Sequence, residues 1–365
     1  MIYLDHGATS FPKILPVRRA MWDALNSCAN PGRGGHQAAM QAAEVVYDCR
    51  EAAAELFGCR PEQVVLTSNC THGLNIAIRT LVSPGDRVVI SGFEHNAVTR
   101  PLHALGARII VAGRRLFDWE DTLEKFEEAL QSGVKAAIFT HVSNVFGYIL
   151  PLDDMAQLCR RYQVPFVVDG AQSAGCLDLN LERLGADFIA MPGHKGLLGP
   201  QGTGILLCAG AAQPLLFGGT GGDSLRRDMP QELPERLEAG TVNVPGIAGL
   251  TAGLRYVRRI GSATILRREC AAAREAAEGL KELGLTVYAG PHQSGTVSFT
   301  ARSDCEELAQ KLAGRGIAVR AGLHCAPLAH ESVGTLDTGT VRVSFGHDAS
   351  ALQVRQLLKE MAALS

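Results

Sequence analysis

A mostly parallel α/β sheet with helices on both faces, followed by a smaller α+β unit, is the fold class predicted for this 365-residue chain. Three observations predict it. Short, nearly continuous apolar runs alternate with amphipathic stretches of helical length between residues 64 and 208, the pattern of strands buried on both faces. The chain carries 40 glycines, many placed just after an apolar run, which suits strand–loop–helix architecture with a site in the loops. Past residue 250 longer helices interleave with three further strands, which marks a second unit.

Taken in order, residues 2–4 form a short strand, followed by Asp5-His6-Gly7-Ala8-Thr9-Ser10. Helical patterns run over 15–27 and 37–57, separated by the loop Asn30-Pro31-Gly32-Arg33-Gly34-Gly35-His36. Residues 64–67 read as a strand; a polar turn and a helix reaching Leu81 follow, an order that makes a ready anion site. Strands are then expected at 87–91, 108–112, 136–140, 165–169, 187–191 and 204–208, with helices at 96–105, 121–131 and 153–162. In such sheets ligands bind beyond the carboxyl ends of the strands. That rule brings Thr71, Glu94, His95, residues 141–144, residues 169–172, His194 and Lys195 to one edge. Further on, helices fit 245–259, 262–283, 306–313 and 350–364, and strands fit 296–300, 316–320 and 340–344. The junction lies near residue 250.

Composition narrows the function. Hydrophobic residues make up 46% and charged residues 20%, as in an ordinary soluble protein. A formal charge of −2 gives no electrostatic reason for a nucleic-acid or anionic-membrane partner. No apolar run approaches the ~20 residues of a membrane span, and the first residues lack the regions of a signal peptide. Ten cysteines occur without a C-x-x-C pair, so neither a zinc knuckle nor a disulfide framework is expected, and a reducing cytoplasm is.

The chemistry gathers at residues 191–204, where an apolar run delivers Lys195 into a glycine-crowded turn beside His194. A lysine held there suits phosphate binding or Schiff-base formation with a carbonyl; an ordinary surface lysine in a turn is the plain alternative. The phosphate-loop pattern is absent, which favours the Schiff base. Asp169 ends a strand and precedes Gly170-Ala-Gln-Ser-Ala-Gly175. A carboxylate in that place can keep a pyridine nitrogen protonated, so that the ring acts as an electron sink. A buried structural Asp is the plain alternative there.

Asp169-Gly-Ala-Gln172, Gly193-His-Lys-Gly196 and Glu238-Ala-Gly-Thr241 together resemble the class V aminotransferases, fold-type I pyridoxal-phosphate enzymes. The stretch Val319-Arg-Ala-Gly-Leu-His-Cys-Ala-Pro327 is similar to the active-site loop of cysteine desulfurases, in the branch of SufS-type enzymes and selenocysteine lyases. The similarity spans essentially the whole chain. It implies a large cofactor-binding domain over 14–250 and a small domain from 1–13 and 251–365 that carries the cysteine loop.

Residue by residue, the resemblance implies that Lys195 holds pyridoxal 5′-phosphate and moves protons, Asp169 pairs with the pyridinium and Gln172 with the ring hydroxyl. His95 would stack on the ring. Thr71, the amide of His72 and His194 would bind phosphate, and Thr241 would reach the phosphate of a neighbouring subunit in a homodimer with shared sites. Asn144, which the resemblance also puts next to the cofactor, and Arg342 would position substrate, the arginine through its planar fork; Arg33 and His36 would border it. Cys325 would carry sulfur as a persulfide, its thiolate favoured by His324 or Arg320. Three positions depart from the family pattern: His6 stands for Asn, His72 for Glu, and Pro192 for the serine of SufS-type enzymes.

The expected reaction converts L-cysteine to L-alanine and passes sulfur through Cys325 to an acceptor protein or thiol. Selenocysteine lyase, class V aminotransferase and a catalytically silent scaffold are the alternatives. A zinc site is disfavoured because no ligand spacing fits. Iron–sulfur cluster assembly, thiolated nucleosides and selenium handling all remain open as destinations.

Overall fold

The expected apolar runs assemble into one seven-stranded sheet in a computed structural model that describes residues 1–32, 34–222 and 225–364. Its strand order is Val64–Thr67, Gly204–Cys208, Phe188–Pro192, Phe166–Asp169, Ala136–Thr140, Arg87–Ser91, Arg108–Ala112. Gly204–Cys208 runs antiparallel to both neighbours, and the remaining pairings are parallel. Alternate residues serve opposite faces, as the strand period requires. Val89, Ala137, Phe139, Val168 and Ile189 enter one apolar core, and Val88, Ile90, Ile138, Val167 and Ala190 enter the other. Both faces are therefore covered, which is why these strands read as continuous apolar runs.

Thr67, Ser91, Thr140, Asp169 and Pro192 end their strands at the same edge. Helices start there with side-chain caps. Asn69 accepts from the amide of His72 to open Cys70–Leu81, and His95 accepts from the amide of Ala97 to open Asn96–Ala104. The helix expected at 121–131 begins earlier, at Trp119, because Asp118 supplies its cap to the amide of Asp121.

A four-stranded antiparallel sheet follows in the order Arg320–Gly322, Thr340–Ser344, Thr296–Thr300, Thr286–Tyr288. The run expected as one strand at 316–320 is divided. Ile317–Ala318 pairs in parallel with Ile2–Tyr3, and Arg320–Gly322 pairs with Thr340–Ser344. The edge strand Thr286–Tyr288 and the short helix Pro327–Val333 were not expected; each is too short for a periodic signal.

The N-terminal segment fastens these parts together. Leu4 donates to Ala318 and accepts from Ser344, Gly7 accepts from Gln172, and the amide of Ser10 donates to the carbonyl of His194. Among the described residues no helix is long and apolar enough to cross a membrane.

Candidate active site

Lys195 lies in the turn after Phe188–Pro192, half-buried, with no hydrogen bond or ion pair to its ammonium among the described residues. Glycine makes the turn possible. A Cβ on Gly196 would sit 2.3 Å from the carbonyl oxygen of Ala174, so only glycine lets the lysine turn close on the turn that follows Asp169. Burial pushes the Lys195 ammonium below its ordinary pKa of 10.5, and Asp169 opposes that shift.

Asp169 is buried at the end of its strand. Its Oδ1 accepts from the amide of Ala171 at 2.8 Å and from the thiol of Cys70 at 3.4 Å. With Oδ1 occupied, Oδ2 is the oxygen left to meet a ligand. Gln172 donates Nε2 to the carbonyl of Gly7 at 3.0 Å, which fixes the amide and leaves its oxygen side for another partner.

His95 both caps its helix and lies within electrostatic reach of Asp169 and Lys195. Its Nδ1 accepts from Ala97 at 3.0 Å, and burial lowers its pKa, so the neutral ring carries its proton on Nε2. His194 is pushed down to about 4 by burial and then by Lys195, with Nδ1 facing the hydroxyl of Thr9 at 3.1 Å. Glu94, beside His95, is fully buried and raised to about 8 by desolvation. Its Oε1 accepts from Ser91 and from the amide of Thr140, while Oε2 has no partner.

The expected phosphate cradle is only partly free. The amide of His72 is taken by the Asn69 cap at 2.9 Å, so the phosphate contact expected from it requires that cap to yield. The ring of His72 contributes instead a buried, unpartnered Nε2. Thr71 is exposed at the first turn. Thr241 is also exposed and lines a cleft with His72. Glu238, three residues earlier, forms a bidentate pair with Arg50 at 2.8 and 2.6 Å and accepts from the amide of Leu66 at 2.6 Å. That anchoring explains the glutamate of the Glu238–Thr241 motif.

Arg342 is 2% exposed. Its guanidinium donates to Asp5 at 2.8 Å and to the carbonyl of Asn144 at 2.8 Å, and its Nε is buried without a partner. Asn144 turns its side chain to the cysteine loop and donates to the carbonyl of His324 at 2.7 Å. The amide of Asn96, in the helix opened by His95, donates to the carbonyl of Cys325 at 2.8 Å. His324 and Cys325 both adopt left-handed backbone, φ 49° and 56°, a strained arrangement that these contacts hold in place. Cys325 is exposed, unlike the other nine cysteines, and all ten are free thiols.

His324 is not a cation beside that thiol. Its Nε2 faces the carbonyl and hydroxyl of Thr340, and burial followed by Arg342 pushes it down to about 2. Arg320, five residues before Cys325, is paired with Asp5. His36 is exposed and caps its own helix, and none of its described contacts reaches the lysine turn. Arg33 lies outside the described residues.

Sequence reasoning missed the carboxylate that joins the arginines. Asp5 accepts from both Arg320 and Arg342, across 315 and 337 residues of chain. It also missed the Cys70 thiol on Asp169 and the Asn96 amide on the cysteine loop. The only hint was the polar segment after residues 2–4.

The residues present fit pyridoxal 5′-phosphate. A lysine amine stands without a partner, an aspartate offers one open oxygen, and a buried imidazole nitrogen is unpaired at a helix start.

Comparison with known proteins agrees. A family profile described as aminotransferase class-V matches residues 2–357. A probable cysteine desulfurase from Methanothermobacter thermautotrophicus is 31% identical, over 100% of this chain and 95% of the relative. The apo structure of a cysteine desulfurase from Thermococcus onnurineus superposes with a TM-score of 0.91 at 32% identity, covering 100% of this chain and 94% of that one. The cysteine desulfurase CsdA of Escherichia coli gives 0.85 at 26% identity, covering 99% and 94%.

Proposed function

This chain belongs to the aminotransferase class-V family, and on that premise we propose that it is a pyridoxal-phosphate-dependent cysteine desulfurase that converts L-cysteine to L-alanine. One observation carries the reading: the single exposed cysteine of ten, Cys325, is docked on the helix start that His95 caps.

When bound, the cofactor supplies an electron sink that labilises the substrate Cα proton and the bond from Cβ to sulfur. Lys195 holds the cofactor and then moves protons, a role that its lowered pKa favours. Asp169 meets the pyridine nitrogen through its open oxygen, Gln172 the ring hydroxyl, and neutral His95 stacks on the ring. Thr71, His72 and His194 hold phosphate, His72 through its ring Nε2. Arg342 takes the substrate carboxylate on its unpaired Nε edge. Asn144 positions substrate indirectly, by fixing the loop carbonyl at His324.

The Cys325 thiolate attacks the substrate sulfur. The sulfur–sulfur bond forms as the bond from Cβ to sulfur breaks, with its electron pair left on carbon, and protonation there completes alanine. Cys325 is left as a persulfide. Its exposure suits hand-over to an acceptor protein or thiol, iron–sulfur cluster assembly being one destination. L-selenocysteine fits the same site. A transaminating role fits less well, because it gives no work to an exposed loop cysteine.

Residues 14–250 form the cofactor-binding domain, and 1–13 with 251–365 the small domain. Supporting this, Leu4 joins a core drawn otherwise from residues 272–361. A homodimer with shared sites is supported by exposed Leu15, Trp22, Leu25, Met40, Tyr47 and Phe217. Thr241, exposed at the His72 cleft, would then serve the partner's phosphate, and Arg33 and His36 the substrate entrance. Ten free thiols support the cytoplasm.

The test is turnover of L-cysteine with a reducing thiol by the cofactor-loaded protein and by Cys325→Ala. Equal alanine and sulfide, lost in the variant, are expected. Full activity in the variant overturns the proposal.

A further inference from the structure

Lys195 also borders a cavity of about 40 Å³ between the lysine turn, the N-terminal segment and the helix Ser262–Glu282. His6, Ser10, Glu269, Ser294 and His347 stand in its wall. Of the described residues assigned to cofactor, substrate and sulfur, only Gln172 and Lys195 border it. The cavity therefore reaches the lysine from a direction other than the Asp169 pocket or the cysteine loop. A buried water needs roughly 10–15 Å³ of such space and two or more polar partners. There is room here for about two or three waters, and the residues named supply the partners.

Glu269 is the group that such waters would serve. It packs against Gly295 so closely that a Cβ there would lie 2.6 Å from its own Cβ and 3.2 Å from its Oε2. Its carboxyl makes no hydrogen bond or ion pair among the described residues. Desolvation, and after it Asp348, raises the carboxyl from 4.5 to about 8. An acid poised near neutral pH both takes and returns protons. The other titratable groups around it are Lys195, His6, His347 and Cys176 in the wall, with Cys270 and Asp348 next to them. Burial lowers both histidines and raises both thiols, so these four are neutral at neutral pH. Asp348 leads outward. Its Oδ1 lies 3.8 Å from His6 Nε2 and 3.9 Å from His347 Nδ1, a buried nitrogen with no hydrogen-bond partner, and its side chain is 49% exposed. The two imidazoles thus join the cavity to a carboxylate at the surface, and His6 is one of the three positions that depart from the family pattern.

Under the desulfurase reading, on which this inference rests, Lys195 moves the substrate Cα proton. We propose that the cavity is a proton port for Lys195 and that Glu269 is its relay residue, acting on the reaction only through the lysine. The step moves a proton and changes no oxidation state. The Lys195 ammonium gives a proton to cavity water, water gives one to the Glu269 carboxylate, and the lysine becomes an amine again. Run backwards, the same step loads the lysine with a proton from solvent. A hydrogen taken from the substrate Cα therefore ends in solvent instead of returning to carbon.

Exchange of the L-alanine Cα hydrogen for solvent deuterium by the cofactor-loaded protein, followed by NMR, reads the port without any sulfur chemistry. Glu269→Gln keeps the shape and removes the acid. Exchange at saturating alanine is expected to slow about tenfold, less than for a group that touches the reacting atoms. Alanine affinity should stay unchanged, and the limb of the pH profile at about 8 should vanish. Glu269→Asp disturbs the packing on Gly295 but keeps an acid; it is expected to retain most of the rate, which loss of local structure alone would not allow. A second readout needs no cofactor. Acetylation of Lys195 in the cofactor-free protein, followed by mass against pH, should show its midpoint fall by about half a pH unit in Glu269→Gln, because an anion that favours the ammonium has gone. If L-cysteine is not turned over while these differences appear, the desulfurase reading fails and the port stands. If the loaded protein exchanges no amino acid, the acetylation midpoint decides. Should Glu269→Gln not fold, His6→Phe, which removes the ring nitrogens that lead to Asp348, is expected to slow exchange in its place. Equal exchange in wild type and every folded variant overturns the proposal, as does an unmoved midpoint.

Discussion

Removing the carboxylate of Glu238 tests how the Thr241 segment is held. Glu238 meets Arg50 through both oxygens, and one of them also accepts from the amide of Leu66. The side chains of Arg50 and Glu238 are only 11% and 7% exposed, so solvent screening is weak. Breaking a buried pair by deleting one partner costs roughly 3–5 kcal/mol, because the remaining charge stays uncompensated. Arg50 also borders the cleft beside residues 238–242, which lets water reach part of its guanidinium, so the lower end, about 3 kcal/mol, is expected for Glu238→Ala. Glu238→Gln keeps an acceptor for Leu66 and should lose roughly half as much, in line with one remaining neutral hydrogen bond. Denaturant unfolding of the cofactor-free protein measures this as a fall in midpoint at constant slope. Arg50→Ala added to Glu238→Ala should cost little more, since the pair is already broken. A loss under about 1 kcal/mol for Glu238→Ala would place the pair with ordinary surface contacts and refute the anchoring argument.

Three further outcomes are expected. Glu94 titrates at about 8 in the fold against an ordinary 4.5, so between those values the native state binds a proton that the unfolded chain does not. Stability therefore falls as pH rises through that window, by at most about 1.4 kcal/mol per pH unit from this group. Glu94→Gln should flatten the fall, and unfolding midpoints at pH 5 and about pH 8 read it; an equally steep fall in the variant contradicts the assignment. Asn144→Ala strands the carbonyl of His324 at a cost of about 1 kcal/mol, so amide exchange over residues 323–326 should quicken severalfold, and unchanged exchange would show that the Asn96 contact suffices alone. Cys70→Ala removes a donor from Asp169 Oδ1, leaving more of that oxygen's charge to act on the cofactor ring; the cofactor's absorption titration should move to higher pH, whereas no movement would make the thiol mere filler.

Much of the site was legible because its residues sit in local signals. Asp169 ends an apolar strand, Lys195 follows one by three residues, both lie at glycine turns, and the carboxyl-edge rule places them together. Cys325 stood out through its neighbours in a short motif. What the sequence hid was long-range or environmental. The Asp5 clamp joins residues 315 and 337 positions apart, and no local pattern marks such a pair. His324 looked like a charge source next to Cys325, yet its neutrality comes from burial against Thr340 and from Arg342, which only the fold supplies. The amide of His72 was available on paper; Asn69 claims it because a helix start must satisfy its own amides first. The division of residues 316–320 between two sheets was invisible for a related reason. The two parts run on as one extended stretch, and only the partners Ile2–Tyr3 and Thr340–Ser344 separate them.

The central claim is that sulfur passes through Cys325, and the most direct measurement is the mass of the Cys325 peptide. The cofactor-loaded protein is mixed with L-cysteine without a reducing thiol, and thiols are alkylated after one turnover. The account predicts one extra sulfur atom on Cys325, none on the nine less exposed cysteines, and one alanine for each sulfur retained. Alanine formed with Cys325 unmodified would contradict it.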